Sequence, residues 1–68
     1  MTEGDAIERA EQAAREAGYR LDEYAQDAVT SHDHGWRIFY RERPPGRVGG
    51  HFTVLVKAAG AVSIIPGR

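Results

Sequence analysis

Three histidines are the residues best suited to hold a metal. His32 and His34 flank Asp33, and His51 opens a later hydrophobic segment. Imidazole suits zinc, copper or nickel, but a specific site takes three or four converging ligands. The stretch SHDHGW also has the chemistry of a hairpin connection, with Asp33 as turn former and Gly35 free to take a positive φ. The expectation is a solvated turn, with any metal bound adventitiously and no resident cofactor.

Nucleophilic catalysis has little to draw on. The chain has no cysteine. Ser31 is adjacent to His32, and neighbours on a strand point to opposite faces. RPPGRVGG is glycine-rich, yet no helix follows it to cradle a phosphate. With no mutually supporting acid, base and nucleophile, the chain is not expected to be an enzyme.

The remaining chemistry is recognition. In WRIFYRE, residues 36–42, arginines interleave with aromatic residues. Such a surface could stack bases or dock a protein. The pI of about 6.3 is far below that of a basic nucleic-acid module. Nucleic acid therefore ranks behind protein as the expected partner.

These residues need elements to position them. Residues 5–17 read as one helix, with Asp5 as cap and Glu8 three residues on. Ile7, Ala10, Ala14, Ala17 and Leu21 recur at spacings of three and four, as one apolar stripe. Glu11 and Arg15 form an i,i+4 pair, and Gly18 stands where a left-handed cap is expected. Strands are expected at 23–31, 36–42, 51–57 and 61–65. ERPPGRVGG (42–50) reads as a loop and AAG as a tight turn. A helix followed by four strands in hairpin order predicts a single α+β domain over residues 1–68: one helix across a four-stranded antiparallel meander.

Alternation divides the strands into two sets. Trp36, Ile38, Tyr40, Phe52, Val54, Val56, Val62 and Ile64 are apolar and are assigned to the core. Arg37, Phe39, Arg41, His51, Thr53, Leu55, Lys57, Ala61, Ser63 and Ile65 form the other, mixed face. There Phe39, Leu55 and Ile65 are expected to meet as one apolar patch. Arg37, Arg41 and Lys57 would rim it, and Arg47 in the loop could clamp its edge.

At 68 residues the core is thin, and without cysteine no disulfide can supplement it. Self-association is one remedy, so a homodimer is a possible state. Charge is lopsided: residues 1–27 carry eight acids against three arginines, net −5, and the remainder carries six bases against two acids, net +4. Such asymmetry bears on partners rather than on fold. MTEGDAIERAE has neither the basic start nor the apolar core of a secretory signal, and no apolar run could cross a bilayer. The expected location is cytoplasmic, away from membranes.

From His34 to Gly67, about half of the chain, GWRIFY and then GGHFTVLVKAAGAVSIIPG resemble the small bacterial immunity-protein family that includes YrhB-like domains. The resemblance implies a cytoplasmic bacterial protein that binds and neutralises another protein, with Trp36 as a structural anchor. The helix-plus-meander pattern also resembles PepSY-like and cystatin-like modules, which bind or inhibit proteins. The expected function is therefore an inhibitor or immunity-type module acting by steric occlusion through the mixed sheet face, on a partner with an acidic patch.

Overall fold

A computed structural model describes residues 1–43 and 50–67. Arg47 and most of the 42–50 loop lie outside the described residues. The chain runs helix α1 (Glu3–Glu16), a 3₁₀ turn (Leu21–Glu23), then strands β1 (Tyr24–His32), β2 (Gly35–Glu42), β3 (His51–Lys57) and β4 (Val62–Pro66). The strands pair antiparallel in sequence order, β1-β2-β3-β4, which is the expected α+β meander. No helix among the described residues is long and apolar enough to cross a membrane.

The N-cap of α1 lies three residues before the expected one. Thr2 is the N-cap: its hydroxyl accepts from the Asp5 N–H, and the Asp5 carboxylate accepts from the Thr2 N–H. Asp5 is thus the reciprocal partner in the capping box rather than the cap. Those hydrogen bonds, chiefly the one from the Thr2 backbone, hold the Asp5 carboxyl below its usual pKa. At the other end the Gly18 N–H reaches the Arg15 carbonyl and the Tyr19 N–H reaches the Ala14 carbonyl, with Gly18 at φ +97°. This Schellman closure ends the helix. Ala17 is consequently exposed, and Leu21 joins the core margin from the 3₁₀ turn instead of the helix. The fully buried helical residues are Ala6, Ala10 and Ala14, with Ile7 at their flank. Glu11 and Arg15 pair at 3.7 Å, as their spacing predicts.

Methyl-sized side chains let α1 lie close on β2, β3 and β4, so the sheet must supply the core's volume. Ile38, Phe52, Val54 and Val56 do so, all sealed from solvent. Phe52 is sandwiched between Tyr19 and Tyr40, at centroid distances of 4.0 and 4.8 Å, and Tyr24 meets it edge-on at 5.0 Å. Trp36, Val62 and Ile64 point to the same side but are only half-buried, at the core's margin.

Glu42, the last residue of the expected strand at 36–42, ends β2 opposite Tyr24 and is 8% exposed. Its even number places it on the inner face, and its N–H donates to the Gly50 carbonyl at 2.6 Å.

The Tyr40 hydroxyl is buried and has no hydrogen-bond partner among the described residues. Burial, with a smaller contribution from the Glu11 charge, pushes its pKa up to about 12 from an ordinary 10.0. Leaving such a group unmet is costly, so Tyr40→Phe should stabilise the fold by about 1 kcal/mol in urea titration. The raised pKa means that the unfolded chain loses this proton first as pH rises. Stability held below pH 10 is therefore expected to decline between pH 10 and 12, and more steeply in the wild type than in Tyr40→Phe. Equal alkaline slopes would contradict this.

Candidate docking face

The face turned away from α1 carries the odd-numbered residues of β2 and β3, as alternation requires. The register sets its rows. Phe39 pairs with Ala28 on one side and Thr53 on the other, and Thr53 pairs with Ile65. The next row is Thr30, Arg37, Leu55 and Ser63. Leu55 therefore lies diagonal to both Phe39 and Ile65, within reach for large side chains. The three expected apolar residues fall in adjacent rows, with Thr53 at their centre. Ile65 is 49% exposed, while Phe39 and Leu55 are half-buried by their neighbours.

On the far side, Arg41 pairs with His51, and the His51 ring lies 5.5 Å from that of Phe39. The patch is thus Phe39, Leu55 and Ile65 extended by an imidazole. Of the expected cationic rim, Arg37 and Lys57 are exposed. Arg41 is engaged: its guanidinium donates to the Asp27 carboxylate at 3.2 Å. That contact depends on a β-bulge between Gln26 and Ala28, which leaves Asp27 unpaired in the ladder. The bulge also explains why Tyr24 and Val29, five residues apart, both reach the core margin. An unbroken strand would put them on opposite faces, so that spacing was the signal for it in the sequence.

The histidines do not converge. His51 lies on the open face, while His32 and His34 sit at the β1–β2 hairpin, where the His34 N–H donates to His32 Nδ1 at 3.4 Å. Among the described residues no three His, Cys, Asp or Glu are grouped to hold a metal.

The arrangement offers an apolar centre, two exposed cations and a neutralised ion pair. The class it defines is a small α+β domain with one open, weakly basic sheet face. The chain matches no protein-family model, and no curated protein or solved structure matches it significantly.

Proposed function

We propose that the chain is a protein-binding module of the inhibitor or immunity type, working in the bacterial cytoplasm by occluding its partner's surface. The observation that carries this reading is the contiguity of Phe39, Leu55 and Ile65 across three strands. Burying them would remove apolar area from water at roughly 25 cal/mol per Å². Arg37 and Lys57 would steer the face towards an acidic surface. Arg47, which lies outside the described residues, would add to that charge. The acidic outer face of α1 supports an oriented approach, because it repels the same partner.

A single-stranded nucleic acid finds less here than the sequence pattern suggests. Trp36 and Tyr40 belong to the inner side, which leaves Phe39 and His51 as the rings beside the arginines of the open face among the described residues. Steep weakening with rising salt would nonetheless favour that reading.

Phe39→Asp tests the proposal. A central aromatic of an interface is commonly worth 2 kcal/mol or more, so capture of the native partner should weaken about 30-fold or more. The side chain is outside the core, so the variant's melting temperature should fall only slightly. Undiminished capture by a folded Phe39→Asp variant would refute the docking face.

A further inference from the structure

The sheet has two edges, and they are not equivalent. The Ala58 N–H bonds the His34 carbonyl at 2.8 Å and the Glu42 N–H bonds the Gly50 carbonyl at 2.6 Å. These two bonds fix the ladder phase: even-numbered residues of β2 bond towards β3, and odd-numbered ones bond towards β1. Gly35, Arg37 and Phe39 thus engage His32, Thr30 and Ala28. Val29 and Ser31 must turn their N–H and C=O groups outward, and they have no backbone partner among the described residues. At the other edge, Lys57 bonds the Ala61 carbonyl and Gly67 bonds the His51 carbonyl, so Val62, Ile64 and Pro66 face outward. Proline lacks a donor, and β4 is only five residues long. That edge is blocked.

Among the described residues the β1 edge is guarded only in its first half, by the bulge at Asp27. Its second half, Ala28-Val29-Thr30-Ser31-His32, has no proline, lysine or acid. We propose that this edge pairs antiparallel with the same edge of a second copy, about a two-fold axis beside Thr30. Val29 of each copy then faces Ser31 of the other, and both exchange N–H and C=O bonds across the axis. The pairing is isologous, because the outward groups of Val29 and Ser31 are self-complementary under a two-fold.

Charge favours this route over a face-to-face dimer. Stacking two open faces would bring together two surfaces that each carry the exposed cations Arg37 and Lys57. The Ala28–His32 edge brings no such clash. Asp33 of one copy would approach Asp27 of the other, but Asp27 is already neutralised by Arg41 at 3.2 Å. Helix α1 packs on β2, β3 and β4, so it does not obstruct the β1 edge. Val29 and Trp36, half-buried at the core margin, gain cover from the added strand. The joined sheet would present both open faces on one side, whatever they bind.

Thr30 lies at the axis, with its side chain exposed on the open face. Thr30→Lys or Thr30→Glu would set like charges directly opposite each other and should weaken dimerisation at least tenfold in sedimentation velocity over a concentration series. An equimolar mixture of the two variants should restore the dimer. Ser31→Pro removes an outward donor without touching the β1–β2 ladder and should give a folded monomer by circular dichroism. Phe39→Asp should leave the dimer intact, which separates this inference from the docking face. A wild-type chain that stays monomeric at its highest soluble concentration would overturn the proposal. So would a dimer broken by Phe39→Asp but not by Thr30→Lys, or a Lys/Glu mixture that fails to recover.

Discussion

Phe52→Ala is expected to leave little folded protein at physiological temperature. The ring has no solvent exposure and is stacked on both faces, by Tyr19 and Tyr40, with Tyr24 against its edge. Truncating a buried phenylalanine costs about 3–5 kcal/mol, from lost transfer free energy and the cavity left behind. Aromatic pairing adds to that loss. Total stability at this length is on the order of 3–10 kcal/mol, at 0.05–0.15 kcal/mol per residue. In a domain this small each kcal/mol moves the melting temperature by roughly 4–8 °C. Thermal melts by circular dichroism should therefore show Tm lower by at least about 15 °C, or no cooperative transition. The cavity has few routes to collapse, because the helix above it presents alanines with nothing left to extend. A variant melting within a few degrees of wild type would mean that the aromatic sandwich is not the core's keystone.

Gly35→Ala should be nearly as damaging, for a different reason. Gly35 starts β2 at φ +151°, a conformation that side-chain-bearing residues rarely adopt. A Cβ there would collide with the Val56 carbonyl oxygen and lie 2.8 Å from Lys57 Cα. Both are backbone atoms of β3, so no side-chain rotation relieves the clash. The sheet would have to open where Gly35 pairs with Lys57 and where the Ala58 N–H bonds the His34 carbonyl. Backbone strain and overpacking each cost roughly 1–3 kcal/mol, so a loss of about 2–5 kcal/mol is expected in urea titration. Gly18→Ala is the control. It shares a positive φ, +97°, but a Cβ there meets nothing within 4 Å. Its cost should stay near the strain alone, about 1–2 kcal/mol. Equal costs at the two positions would show that strain, and not the β3 backbone, sets the penalty.

The two glycines illustrate what could be read in advance. Gly18 and Gly35 both stood out as turn formers from their neighbours in the chain. Only the fold reveals that one faces open space and the other a neighbouring strand. The helix start shows a similar division. The Asp5–Glu8 spacing points to Asp5 as cap, whereas in the fold Thr2 caps and Asp5 is its reciprocal partner. The folded chain takes the earlier start, and Ala6 lies on the buried stripe with Ala10 and Ala14. Phe39, Leu55 and Ile65 were legible as neighbours because hairpin order and period two together determine a register. Their rim was less so: Arg41 is tied to Asp27 by a bulge that strand propensity does not reveal.

Period-two alternation, spacings of three and four, and short turns sufficed by themselves to specify a helix on a four-stranded meander and to separate its inner from its outer side chains. These are local rules, and every strand in this topology pairs with its sequence neighbour. Tertiary structure alone decided the Tyr19–Phe52–Tyr40 stack, the engagement of Arg41 and the contrast between the open β1 edge and the β4 edge closed by Pro66. Each of those depends on which atoms from distant segments occupy the same few ångströms, and no periodicity along the chain encodes that.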